Sequence, residues 1–333
     1  MAVTKLSDII VPTIFTTAVE GAVFDQSIFR QTGVIVQKPA FDTIAKTAGL
    51  YATLPFWAPI PWAEANSSTD DNTILATARK VNQSAMTFRL FQRNVSFSAM
   101  DILNEATGDP TVYAVNSFAR LWALEEEYLL IEMIKGLLLR NIASDGSDMY
   151  KTVSRTTGVV DATNQLTPAT LASLLGTFGD SSNIVDTIVM HGDVYNGLRA
   201  RDANLFVPSS LTGFKIETYC GYKVVVSDHC TKDVTVPAYP VYSSYLVGPG
   251  MFAAGVGASS TAVERSEAAG NGSGLETVYS RRNFILHPQG HAVAATAPAN
   301  GVTFTNSELA TATHWSRVMD RKSVPLAIIK TNA

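Results

Sequence analysis

Residue types able to do chemistry come together at a few places in this chain. Asp228-His229-Cys230 sets an acid, an imidazole and a thiol side by side. A nucleophile must lie within hydrogen-bond reach of its base, and adjacent residues on an extended segment point to opposite sides. The run therefore reads as structural residues at a strand-to-loop corner. His287 and His291 have the spacing of a helical metal pair, but Pro288 and Gly290 forbid the helix. No carboxylate or cysteine stands close by in sequence to complete a ligand set. Gly270-Asn271-Gly272-Ser273-Gly274 lacks the Lys-Ser/Thr of a phosphate-binding loop, and Leu275 stands where a dinucleotide fingerprint needs its third glycine. Its central residue is Gly272, so it is not a nucleophile elbow either. Glu125, Glu126 and Glu127 fall on successive positions of a helical stretch and fan around most of a turn. They read as a solvated or interface face, not as a paired acid and base. No catalytic residue, cofactor or metal is expected.

The elements around these residues say more. Asp109 can cap a helix, Pro110 suits its first position, and no further proline occurs before Leu139. A helix over 110–141 would be roughly 45 Å long at about 1.5 Å per residue. Two apolar stripes run along it: Leu121, Leu124, Tyr128, Ile131 and Leu138 on one, Phe118, Trp122, Leu129 and Met133 on the other. Its most apolar run contains Glu132 and Lys135, too short and too charged to span a bilayer. Gly136 inside this spine implies close approach by another segment, or a bend.

At 333 residues the chain is long enough for two packed units, and its 46% hydrophobic content fills their cores. Only 16% is charged, which hints at a surface much covered by partners. A net charge of −4 with no basic run argues against avid nucleic-acid binding. Two cysteines, Cys220 and Cys230, fit a reducing compartment while leaving one bridge open. Lys5 and Asp8 break the opening residues, so no signal peptide is read there.

In chain order, residues 1–40 suggest an arm of short helical turns and one strand, around Val34-Ile35-Val36. Residues 54–95 read as two strands joined across the polar tip Asn66-Ser67-Ser68-Thr69-Asp70-Asp71-Asn72, with Trp57 and Trp62 at the base and Met86, Phe88 and Leu90 alternating with Thr87 and Arg89. Such a ribbon is marginal alone; it lies either on other surfaces or on its own domain. Thr167-Pro168 opens a helix, and Gly179 stands just past its end. Strands are expected over 184–190, 215–226 about a turn at Cys220-Gly221, 241–247, 278–286 and 324–330, with a helix over 194–201 and loop over the Gly- and Ala-rich residues 248–274. Thr305-Asn306-Ser307-Glu308 is a capping box. The mixture is an α+β fold.

Several stretches taken together resemble tailed-bacteriophage major capsid proteins. They are Lys5-Leu6-Ser7-Asp8-Ile9-Ile10-Val11-Pro12, Leu54-Pro55-Phe56-Trp57, Gly108-Asp109-Pro110, Leu286-His287-Pro288-Gln289-Gly290, and the close from Asn306 through His314-Trp315-Ser316-Arg317-Val318 to Ile328-Ile329-Lys330-Thr331-Asn332. The resemblance implies an N-terminal arm (1–53), an extended β-hairpin loop (54–97), a peripheral domain with the spine helix (98–183), an axial α+β domain (184–275) and a return to the peripheral domain (276–333). It implies a non-enzymatic shell subunit that forms pentamers and hexamers around DNA without reading its sequence. Scaffolding, portal and decoration proteins are the further partners it implies, with no membrane, and it places the protein in the virion after assembly in the host cytoplasm. Trp57, Trp62, Phe88, Arg89, Glu125, Glu126 and Glu127 are the expected subunit-interface residues. Some relatives carry a cleaved N-terminal scaffolding segment, for which no room is read before the arm. Others crosslink Lys to Asn; Lys80 lies on the ribbon, but no acceptor is identifiable and no bond is expected. Encapsulin-type compartments share the fold, so an enzyme-filled shell is the alternative, with a soluble α+β enzyme well behind.

Overall fold

The computed structural model describes residues 11–47, 51–57, 64–65, 83–89, 91–98, 110–211, 214–266, 275–294 and 298–333. The chain opens with helix α1 (Pro12–Gln26), a full helix in place of the expected short turns. Pro12 starts it, and Phe15, Val19 and Val23, at i, i+4 and i+8, bury one face. A short α2 (Ile28–Gln31), strand β1 (Ile35–Gln37) and α3 (Pro39–Lys46) follow. Next come β2 (Tyr51–Trp57), β3 (Gln83–Arg89) and β4 (Phe91–Ser98).

The expected spine helix forms as α4 (Pro110–Ser144), 35 residues long and three residues longer at its C-terminal end than the expected 110–141; its expected cap, Asp109, lies outside the described residues. The two apolar stripes have different fates. Phe118, Trp122, Leu129, Met133 and Ile131 are fully buried and Leu138 nearly so, whereas Leu121, Leu124 and Tyr128 are exposed. A single helix cannot turn both stripes to one core. The N-terminal half packs on α1, with Phe118 edge-on to Phe15 at 5.9 Å. The C-terminal half enters the main core between the two sheets, and the outer stripe of the first half is left over.

One sheet has the order β1-β12-β13-β4, with β12 (Phe252–Ser266) and β13 (Leu275–Pro288) a long antiparallel pair. The expectation of a loop over 248–274 is therefore wrong for most of its length. Gly and Ala serve β12 for a tertiary reason: α3 lies directly on the strand. A Cβ on Gly255 would stand 2.5 Å from the Phe41 carbonyl carbon, and one on Gly257 2.6 Å from the Ala45 oxygen. Residues 267–274 lie outside the described residues.

After β5 (Tyr150–Thr152), the capped helix α5 (Pro168–Leu175) leads to the second sheet; the Thr167–Thr170 capping box is formed, and Gly179 turns at φ +60°. That sheet is built from β6 (Thr187–Met190), β7 (Phe206–Leu211), β8 (Phe214–Tyr219), β9 (Tyr222–Val226), β11 (Val241–Val247) and β16 (Leu326–Thr331). Its order is β5-β16-β11-β6-β9-β8-β7, with β10 (Lys232–Asp233) pairing β11. Helix α6 (Gly192–Asp202) covers it through Val194 and Leu198. Cys220 and Gly221 both take positive φ, +51° and +87°, in the tight turn expected between β8 and β9. The chain ends through β14 (His291–Val293), α7 (Asn306–Leu309) with its predicted capping box, β15 (Trp315–Arg317) and β16.

Candidate functional site

The three glutamates are not one face of anything. Glu126 is 2% exposed and takes a forked pair of bonds from Arg30, Nε to Oε2 at 2.8 Å and Nη2 to Oε1 at 2.9 Å. Arg282, also buried, donates to the same carboxylate at 3.3 Å and makes its own fork with Glu20, both bonds at 2.9 Å. Arg282 lies over the Trp122 ring at 5.3 Å, and Trp122 donates its indole N–H to Ser280 at 3.0 Å. Two arginines and two glutamates thus neutralise one another where α1, α2, α4 and β13 meet. This corrects the surface reading of Glu126: charge in a helix reads as solvated only until tertiary partners are known. Glu125 pairs with Arg93 at 3.3 Å, and Glu127 accepts a bond from the Ser227 hydroxyl. Each of the three glutamates bonds a group of its own subunit, and Glu125 and Glu127 stay partly exposed.

The other reactive types are also engaged structurally. Cys230 is buried; burial first, then the negative charge of Glu127, pushes its thiol pKa up, away from the nucleophilic thiolate. His229 packs edge-on to Tyr128 at 5.2 Å. Among the described residues no group of three His, Cys, Asp or Glu side chains could hold a metal ion, and no helix is long and apolar enough to cross a membrane.

His287 and His291 are both buried, at the end of β13 and the start of β14. His287 Nε2 lies 2.7 Å from the His291 carbonyl oxygen, and His291 Nδ1 lies 3.2 Å from that of Gln289. Burial lowers both imidazoles to about 4. An unfolded histidine titrates near 6.5, so the unfolded chain takes up protons first as the pH falls. The stability conferred by the neutral rings is whole above about pH 6.5, is lost as pH falls from there through about 4, and changes no further below that. Urea unfolding at steps between pH 7 and 4 should show this decline, and His287→Gln/His291→Gln should flatten it. An unchanged slope in the double variant would assign the decline to other groups.

The ribbon strands pair as expected, β2 with β3, from Tyr51 opposite Arg89 to Trp57 opposite Gln83. Trp57 is 69% exposed at the end of β2. Phe88 and Arg89 lie in β3 opposite Ala52 and Tyr51; their side chains, and Trp62 entirely, lie outside the described residues. The structure adds a surface that the sequence does not mark as functional. Val112, Tyr113, Leu121, Leu124 and Tyr128 of α4 are exposed, and beside them a cleft of about 590 Å³ runs between α4 and the α1–α2 corner. Ile28, Phe29, Leu124, Asp25, Arg120 and Glu127 are among its lining residues. The signal is present: one helix with two apolar stripes has more apolar surface than one core can take.

This arrangement of spine helix, two sheets and ribbon is the fold of bacteriophage capsid proteins. It superposes on the capsid of Ralstonia phage GP4 with a TM-score of 0.60 at 10% identity, over 93% of this chain and 92% of that one. The corresponding values for the cyanophage Pam1 capsid are 0.50 at 14% identity, over 88% and 87%. In sequence the chain is 27% identical to the major capsid protein of Bacillus phage SPP1 over 334 aligned residues, 99% of this chain and 98% of that protein. No family model matches. The resemblance read from the sequence is borne out over essentially the whole chain.

Proposed function

We propose that the chain is a structural subunit of an icosahedral phage capsid, assembling with copies of itself into a shell around packaged DNA. The observation that carries this reading is the end-to-end similarity to the SPP1 major capsid protein, in a chain whose fold is that of phage capsids. The finer reading is pentamers and hexamers, with residues 1–53 as the arm, 54–97 as the extended loop, 98–183 and 276–333 as the peripheral domain, and 184–275 as the axial domain. Scaffolding, portal and decoration proteins complete the particle, which forms in the host cytoplasm. No catalysis is assigned to the subunit.

Physics supports assembly independently of likeness. A two-stranded ribbon is marginal in water, and the largely exposed Trp57 offers it a large apolar anchor for a neighbour. The leftover stripe of α4 is a second exposed apolar surface among the described residues. Deleting residues 63–79 should leave a subunit with native-like circular dichroism and unfolding that closes no shells by electron microscopy. Intact shells from the deletion, or a subunit that no longer folds, would place the ribbon in an ordinary intramolecular role. Nucleic acid inside wild-type particles separates a virus shell from an enzyme compartment.

A further inference from the structure

Asn–Gly pairs occur at three places in this chain: Asn196-Gly197, Asn271-Gly272 and Asn300-Gly301. The second lies outside the described residues, and the other two sit in opposite surroundings. Asn196-Gly197 is inside α6, where the helix fixes the backbone amides along its axis. Asn300-Gly301 is an exposed turn between β14 and α7, closed by the Gly301 N–H donating to the Pro298 carbonyl at 3.0 Å. Gly301 takes φ +73°, with open space where a Cβ would stand. The Asn300 side-chain oxygen accepts two backbone N–H groups, from Val302 at 3.0 Å and Thr303 at 2.9 Å.

We propose that Asn300 is a site of spontaneous deamidation, promoted by the two amides that hold its side-chain oxygen. The Gly301 N–H first opens its bond to the Pro298 carbonyl; hydroxide then removes the amide proton, and that nitrogen attacks Cγ of Asn300. Negative charge develops on Oδ1, where the N–H groups of Val302 and Thr303 already point, the arrangement that stabilises an oxyanion in acyl transfer. Collapse of this intermediate breaks the Cγ–Nδ2 bond and expels ammonia, leaving a cyclic imide. Water opens the imide at either carbonyl, giving aspartate or isoaspartate, so that the balance is one water consumed and one ammonia released.

The two products act differently on the turn and on the helix after it. Aspartate keeps both bonds to Val302 and Thr303 and charges them. Isoaspartate adds a backbone methylene and pulls the acceptor away from both donors. The neighbouring Ala299 N–H is held by Glu308 at 2.7 Å, and Glu308 also accepts the Thr305 N–H at 2.7 Å. Those bonds, from Thr305 first and then Ala299, lower the Glu308 carboxyl to about 2. The turn and the α7 cap are therefore one unit, and isoaspartate at 300 loosens both.

The test is incubation of the purified native chain at pH 8 and 37 °C, with peptide mass spectrometry and isoaspartyl methyltransferase labelling at Asn300 and Asn196, repeated in urea. In the native chain the acid should form at Asn300 at least about tenfold faster than at Asn196, a barrier difference of the size that factor implies. In urea the two rates should converge, with Asn300 no faster than when folded. A native Asn300 rate well below its rate in urea would overturn the proposal, since the turn would then protect the side chain. Asn300→Asp separates charge from backbone change. Its melting temperature should match or exceed the fresh protein's, while the aged, isoaspartate-containing fraction melts lower. Equal losses in both would overturn the assignment of opposite effects.

Discussion

Gly136→Leu should lose a large part of the subunit's stability, whereas Leu139→Ala, three positions along the same helix, should unfold almost as wild type does. The reason is a seam on the buried side of α4. A Cβ on Gly136 would collide with the Leu309 carbonyl oxygen and stand 2.5 Å from Trp315 Nε1. Those two groups are bonded to each other, the indole N–H donating to the carbonyl at 2.8 Å, and Trp315 is fully buried. Backbone cannot yield as a flexible side chain can. Overpacking of this kind costs about 1–3 kcal/mol, and parting a buried donor from its acceptor adds about 1–3 kcal/mol. Their sum, about 2–6 kcal/mol, removes a large part of a total stability of about 5–15 kcal/mol. Leu139 is 48% exposed and fills no core. Gly136→Ala gives the graded case, folding but with a lowered urea midpoint. A soluble Gly136→Leu with a midpoint near that of Leu139→Ala would show that α7 and β15 are not seated on the spine.

The second large effect belongs to Glu126. Glu126→Ala leaves Arg30 without its forked partner and Arg282 with Glu20 alone, and both arginine side chains are buried, at 7% and 2% exposure. Breaking a buried pair by removing one partner costs about 3–5 kcal/mol, because the remaining charge is stranded. Glu126→Ala/Arg30→Leu should recover part of that loss, since Arg282 and Glu20 still neutralise each other. Glu125→Ala is the comparison. Glu125 is 28% exposed and its partner Arg93 16%, so the loss should be smaller. Equal losses from Glu125→Ala and Glu126→Ala in urea unfolding would mean that Arg30 and Arg282 are resolvated once Glu126 is gone.

These glutamates mark where sequence reading stops. Three consecutive acids on a helix carry no information about which will find an arginine, because Arg30 and Arg282 lie on other elements and meet Glu126 only through tertiary packing. Strand β12 escapes local rules for a related reason. Gly255 and Gly257 look like loop residues to any such rule, and only the backbone of α3 lying against them makes glycine the residue that fits.

Features that depend on neighbours in the chain are legible without the fold. The presence of the spine helix, the helix start at Thr167-Pro168, the capping box at Thr305, the Cys220-Gly221 turn and strand β11 come from caps, periodicity and permitted φ. The demand for a close neighbour at Gly136 is legible too, since a helix-interior glycine needs a reason. The identity of that neighbour is not. Tertiary packing alone makes Leu309 and Trp315 supply it, seals Glu126 in a neutral cluster, and leaves Leu121, Leu124 and Tyr128 exposed. A stripe of apolar residues fixes that a surface must be covered; which element of the folded subunit covers it is set by contacts between residues far apart in the chain.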